Sequence, residues 1–317
     1  MTTTVIAIGG NALIKSTEDL SIEGQYETII NTAKRVAKII ASGTNVVITH
    51  GNGPQVGIAL YRSQLSIEKI PAMPFHYAVA DTQGVIGYMF ANALENELKT
   101  NKIDKKVVSL ISRTLVDIKD PAFNNPDKPI GAFFDKKDAK YLSQKYGWVI
   151  KEEGQKGFRR VVASPKPIKI IELDTIKQLI STGHIVITCG GGGIPVFYKD
   201  KDHLQGIGAV IDKDRVSALL ANALNADTLI IPTSVDKVYT NFGSPHEKQV
   251  SVISKSEAIK FISDGQFAEG SMLPKIEAMI SFISTPKRTG IICGIKSFDK
   301  AFFGHKQFGT KFIYEVN

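Results

Sequence analysis

Several short apolar runs in this chain are unbroken rather than alternating, and they spill directly into glycine or other turn residues. Residues 5–8 (VIAI) lead into GGN, residues 46–49 (VVIT) into HGNG, and residues 185–188 (IVIT) into CGGGG. Residues 229–231 lead into PTSVD and residues 291–292 into CG, while residues 107–111 form a further apolar run. A strand covered on one face alternates apolar and polar residues, whereas a strand buried on both faces reads as continuous apolar sequence. The runs therefore predict a parallel sheet with helices on both faces. Helical patterns lie between them. Tyr26, Ile29, Ile30, Ala33, Val36, Ala37 and Ile40 share one face, with Gly43 where a C-terminal cap belongs. Val85, Ile86, Met89, Phe90, Ala93, Leu94 and Leu98 make a second stripe. Asp174 is placed to cap a helix ending near Gly183, and residues 216–224 belong to another helix. The expected fold class is α/β, an open and mainly parallel central sheet.

Ligands of open α/β sheets bind outside the carboxyl ends of the strands. Here three such ends carry glycine with asparagine or more glycine, at residues 9–11, 51–53 and 190–193. One glycine turn is equally well a loose connection. Three on one sheet edge describe exposed backbone N–H groups of the kind that cradle oxyanions. Gly9, Gly10, Asn11, Gly51, Asn52, Gly53, Gly191 and Gly192 are thus the expected phosphate and substrate floor. The familiar phosphate loops are absent. No GxxxxGK[ST] occurs, and GNGPQVG at residues 51–57 is one residue too long for a dinucleotide fingerprint, with Pro54 where the helix opens.

The formal net charge of +8 favours anionic partners, and the lysines are densest over residues 128–169. No zinc-finger, RNA-binding aromatic or basic-heptad pattern accompanies them, so small anions fit better than nucleic acid. Six scattered histidines offer no metal-ligand spacing. Two cysteines, Cys189 and Cys293, each next to glycine, suggest buried inert thiols and a reducing cytoplasm rather than a disulfide framework. Neither a signal segment nor an apolar stretch near 20 residues opens the chain, so a soluble protein is expected. Its 317 residues suffice for one large domain or two ordinary ones.

Two lysines stand out by position. Pro274 suits the start of a helix, which puts Lys275 in a first turn, where a cation opposes the helix dipole unless an anion faces it. Asp212-Lys213-Asp214 also leads into a helix. Either aspartate serves as a helix cap; beside glycine floors and a second lysine, the group also reads as a cation with its organiser.

Together these stretches resemble the carbamate kinases of the amino-acid kinase superfamily. The resemblance rests on GGNA at residues 9–12, THGNGPQVG at 49–57, PAMP at 71–74, NPDKPIG at 125–131, SPKP at 164–167, CGGGGIPV at 189–196, AVIDKD at 209–214 and GSMLPKIEA at 270–278. The blocks keep the family's order across nearly the whole chain. The resemblance implies the reversible reaction ATP + carbamate ⇌ ADP + carbamoyl phosphate, with Mg²⁺ held mainly by the nucleotide phosphates rather than by direct protein ligands. It implies a homodimer and a small lid subdomain protruding from the amino-terminal half, placed at residues 124–167. Residues 1–205 would then form the carbamate half and residues 206–317 the nucleotide half.

Lys213 and Lys275 are assigned to the phosphoryl group, Asp214 to holding them, and Lys128, on the family's pattern, to the carbamate side. Asp236, Tyr239, Met272 and Pro274 are expected to wall the nucleotide. Without the resemblance, Lys128 reads as a solvated lysine between prolines. The chain departs from the family at Ser234, usually glycine, at Phe158, usually Trp or Tyr, and over residues 294–303. Two other readings stand beside this one. A sister kinase acting on another small carboxylate, such as acetylglutamate, is opposed by Ala7, where a lysine would precede the glycines. A non-catalytic nucleotide-binding regulator is opposed by the retained charged residues.

Overall fold

The computed structural model describes residues 2–14, 21–268 and 270–315. Its central sheet contains β1 (Thr3–Ile8), β2 (Asn45–His50), β3 (Val107–Ser109), β4 (Ile185–Ile187), β5 (Thr228–Thr233), β6 (Val252–Ser254), β7 (Thr289–Gly294) and β8 (Thr310–Ile313). The spatial order is β6-β8-β7-β5-β1-β2-β4-β3, and every pairing is parallel except β7 with β8. The helices are α1 (Ile22–Ala41), α2 (Gly53–Leu65), α3 (Phe75–Thr100), α4 (Lys136–Tyr146), α5 (Leu173–Ser181), α6 (Lys213–Ala223), α7 (Lys255–Ser263), α8 (Leu273–Phe282) and α9 (Phe298–Phe302).

Each expected strand lies in this sheet, and β1 shows why its sequence is continuous. Successive strand residues face opposite ways. Val5 and Ala7 join a core with Val216 and Leu220 of α6 and Ile276 and Met279 of α8. Ile6 and Ile8 join a second core with Ile29, Ala33 and Val36 of α1 and Ile86, Phe90 and Leu94 of α3. Two details depart from the sequence reading. Val85 is 51% exposed, because it sits one position off the buried stripe of α3. Asp174 lies inside the first turn of α5 and makes no capping bond; the cap position belongs to Glu172.

Residues 124–167 contain a separate three-stranded antiparallel sheet, built from Lys128–Phe134, Ile150–Glu152 and Phe158–Val162, with α4 packed on it. Phe134, Trp148 and Tyr146 give it an aromatic core of its own. It meets the body through α2, where two glycine backbones touch. A Cβ added to Gly57 would overlap the Cα of Gly131. The main sheet runs unbroken from β5 to β1, so a division near residue 205 falls within one continuous layer.

Candidate active site

The carboxyl ends of β1, β2 and β4 are neighbours, and their loops meet helix starts from the other half of the chain. Asp212 caps α6, accepting from the backbone N–H groups of Asp214 at 2.9 Å and Arg215 at 3.2 Å. The two aspartates thereby divide the roles left open by sequence: Asp212 is the cap and Asp214 is free to pair. Lys213 Nζ donates to Asp214 Oδ1 at 2.5 Å and to the Ala7 carbonyl at 3.0 Å. Lys275 Nζ donates to Asp214 Oδ2 at 3.1 Å and to the Ser271 carbonyl at 3.0 Å. Each oxygen of one carboxylate therefore holds one lysine. Pro274 occupies the first turn of α8, as its sequence position suggests, and the Arg215–Glu277 pair at 3.0 Å ties α6 to α8.

The glycine loops close around this node. Gly51 N–H donates to the Ile8 carbonyl at 2.8 Å, and a Cβ on Gly51 would approach Gly10 N to 2.6 Å. Gly9, Gly10, Gly51, Asn52, Gly53 and Gly191 all line a cavity of about 430 Å³ together with Lys128, Arg159, Lys213, Asp214, Pro274 and Lys275. The side chain of Asn11 lies outside what the structure describes.

Gly192 does not fit the role expected of it. Its N–H donates to the Cys189 carbonyl at 3.0 Å, so that group is already engaged and cannot serve phosphate. It lies outside the cavity lining, and a Cβ there would collide with the Ile211 carbonyl. The glycine run is needed largely for close packing. At Gly191, with φ of +63°, a Cβ would collide with the side-chain amide of Asn52, which donates to Thr82 Oγ1 at 2.9 Å. Gly190 leaves room in the same way for the buried ring of His50.

The small antiparallel sheet supplies the opposite wall. Lys128 Nζ reaches Asp212 Oδ2 at 2.5 Å, so the α6 cap also receives a cation from 84 residues away. Arg159, unmarked by the sequence reading, lines the same cavity. A strand placing one residue of the Arg159-Arg160 pair on each face would have been the signal.

A second cavity of about 540 Å³ opens beside the first and shares Thr233, Ser234, Ser271 and Lys275 with it. Tyr239, Phe242, Phe267 and Met272 form its apolar wall. Asp236, expected among these residues, lies outside both linings; its Oδ1 accepts from Ser297 Oγ at 3.3 Å. Ser234, a departure from the family pattern, faces both cavities.

Electrostatics follow from burial and pairing. Burial opposes the charge on Asp212, but Lys128, Lys213 and Lys275 outweigh it and hold the carboxyl well below its usual range. Burial likewise opposes the charge on Lys128, yet Asp212 leaves its pKa raised. Lys213 goes the other way: burial, reinforced by repulsion from Lys275, outweighs Asp214 and lowers it. Burial lowers His50 to about 4, leaving a neutral ring at pH 7 that contacts the Gly51 carbonyl through Nδ1 at 3.1 Å. Both cysteines are buried, and burial pushes the Cys189 thiol up to about 12 and that of Cys293 higher still. The carboxylates nearest the cavity are engaged by lysines, and no cluster of three or more metal-ligating His, Cys, Asp or Glu side chains occurs among the described residues.

A lysine-lined cavity abutting a second, partly apolar one, with Lys275 lining both and sharing Asp214 with Lys213, is an arrangement for phosphoryl transfer. The chain belongs to the amino acid kinase family, whose model matches residues 2–294. Within that family it is similar to a carbamate kinase of Clostridium perfringens, 45% identical over 98% of this chain and 99% of the relative. The carbamate kinase of Giardia lamblia solved with citric acid superimposes with a TM-score of 0.92, at 37% identity over 99% of both chains. The same enzyme bound to AMP-PNP gives a TM-score of 0.90 at 38% identity, again over 99% of each chain.

Proposed function

We propose that this protein is a carbamate kinase, catalysing ATP + carbamate ⇌ ADP + carbamoyl phosphate and working chiefly toward ATP. The observation that carries the reading is the Lys213–Asp214–Lys275 node, which lines the first cavity and reaches the second through Lys275. In the forward direction a carbamate oxygen forms a bond to the γ-phosphorus while the bond to the β–γ bridging oxygen breaks, and ADP leaves. Carbamate is already an anion, so no general base is required. Lys213 and Lys275 offset the charge spread over the transferring group and the β-phosphate. Asp214 fixes both ammonium groups before substrate arrives. Gly9, Gly10, Asn11, Gly51, Asn52, Gly53 and Gly191 would present the floor, Gly51 by lining it without a side chain, since its N–H is held by the Ile8 carbonyl. Tyr239, Met272 and Pro274 would bound the nucleotide.

Mg²⁺ would enter on the nucleotide phosphates and supply further charge neutralisation. Residues 124–167 would act as a lid, carrying Lys128 to the carbamate side and excluding water from labile carbamoyl phosphate. We infer a homodimer as well, since Tyr77, Val85 and Tyr88 form an exposed apolar stripe along α3. No helix among the described residues is long and apolar enough to cross a membrane, and the two buried free thiols support a reducing, cytoplasmic setting.

The test is ATP formation from ADP and carbamoyl phosphate in a coupled assay. Robust turnover is expected, with no phosphorylation of acetylglutamate. Silence with carbamoyl phosphate, or a preference for acetylglutamate, would replace the reading with that of a sister kinase or a regulator.

A further inference from the structure

The small antiparallel sheet presents two cations to the cleft, and they are committed differently. Lys128 is ion-paired with Asp212. Arg159 has a looser ion pair, with Glu153, that is not hydrogen-bonded. Its Nε donates to the Gly131 carbonyl at 3.0 Å, which fixes the plane of the guanidinium. Its nearest carboxylate oxygen, Glu153 Oε1, is 3.7 Å from Nη1, beyond hydrogen-bond reach. That oxygen is itself buried without a hydrogen-bond partner among the described residues. The guanidinium lies over Phe133 at 5.1 Å, so it is held on one side by a ring and open to the cavity. Arg160, next along the strand, lies over Trp148 at 4.3 Å and Phe75 at 5.8 Å and does not line the cavity.

The geometry points to Arg159 as a substrate-binding residue that takes the anionic oxygens of the small substrate, carbamate or carbamoyl phosphate. The inference rests on the cleft reading given above and deepens it. A guanidinium presents parallel N–H donors that match two oxygens of a carboxylate or phosphate, which an ammonium cannot do. Two features of Arg159 suit it to that role. Its plane is preset by Gly131 and Phe133, and Nη1 and Nη2 make no hydrogen bond to any described carboxylate. Lys128 and Arg159 then divide the work. The lysine exchanges Asp212 for substrate, and the arginine meets substrate with only the longer Glu153 pairing to loosen.

The experiment is steady-state kinetics on the full chain, with KM for carbamoyl phosphate and KM for ADP measured for the parent, Arg159→Gln, Arg159→Lys and Arg160→Gln. Losing hydrogen bonds to a charged group predicts that Arg159→Gln raises KM for carbamoyl phosphate about tenfold or more. KM for ADP should not move, Arg159→Lys should fall between, and Arg160→Gln should leave the ratio of the two constants at the parent value. An unchanged KM for carbamoyl phosphate, an equal rise in both constants, or the same selective effect in Arg160→Gln overturns the inference. If Arg159→Gln fails to fold, Arg159→Lys decides by the same criterion. Calorimetric titration of inorganic phosphate gives a readout independent of turnover. Weaker binding by the Arg159 variant supports the anion site even if the parent makes no ATP; equal binding overturns it.

Discussion

Lys213 and Lys275 are 12% and 17% exposed and share the two oxygens of Asp214, whereas Lys128 is 31% exposed and crosses from a different sheet to one oxygen of Asp212. The first pair sits on helices anchored in the main core, with Ile276 and Met279 of α8 packed against Val216 and Leu220 of α6. The second cation rides on a three-stranded sheet with its own aromatic centre. The difference separates two requirements of phosphoryl transfer. Charges that stabilise the transferring group gain from being fixed in advance, whereas a group that must admit and then enclose a substrate gains from an exchangeable partner.

The strongest way to break this comparison is to remove the shared carboxylate. Asp214→Ala leaves two largely buried lysines facing each other, and loss of one partner from such a network costs about 3–5 kcal/mol. Both denaturant stability and turnover should collapse; a stable, active variant would mean that the node is not preset by Asp214. Lys275→Ala should affect chemistry more than folding, because Lys213 keeps its bond to Asp214. The barrier should rise by ~3 kcal/mol, read as turnover at saturating substrates beside an unchanged melting transition. Near-parental turnover would reduce Lys275 to a structural lysine.

On the other side of the cleft, Lys128→Ala should raise the barrier with carbamoyl phosphate by about 1.5–3 kcal/mol, the usual size for a hydrogen bond to a charged group. ADP affinity, measured by calorimetry on the same variant, should stay intact. A matching loss of ADP affinity would assign Lys128 to the nucleotide and erase the division between the two walls.

The smallest effect concerns acid. His50 has a native pKa lowered to about 4, so the unfolded chain binds the extra proton between the ordinary value and that one. Its contribution is complete above the unfolded value and lost as pH falls toward the native value. Near pH 5.5 the loss is about 1 kcal/mol. Denaturant titrations of the parent and His50→Gln across this window should show a shallower pH slope in the variant. Identical slopes would show that this ring does not govern the acid sensitivity of the floor.

Much of the scaffold is legible in the sequence because strands buried on both faces leave an unmistakable trace, as β1, β2 and β5 do, and glycine marks where they end. The partnership of Lys213, Asp214 and Lys275 is also within reach, since each opens a helix. Other features leave no local trace. Lys128 and Asp212 meet only after the antiparallel sheet has folded over the cleft. Gly192 misleads because a backbone offered to phosphate and a backbone pressed against Ile211 both exclude a Cβ. The motif around Asp236 points it toward the nucleotide, yet its side chain is directed to Ser297. Arg159 is hidden among the many cations of residues 128–169, where only the alternation of a strand separates a cleft residue from a neighbour stacked on tryptophan.

The touching backbones of Gly57 and Gly131 carry a mechanical consequence. Gly57 lies four residues beyond Gly53, about 6 Å along the same helix. The helix whose first turn borders the glycine-lined cavity is therefore also the seat on which the small sheet rests. With no side chain on either partner, nothing stands between the two backbones, so the placement of the small sheet is set directly by that helix. Its position over the cleft is thereby gauged from the glycine loops rather than from the distant ends of the polypeptide segment that carries it.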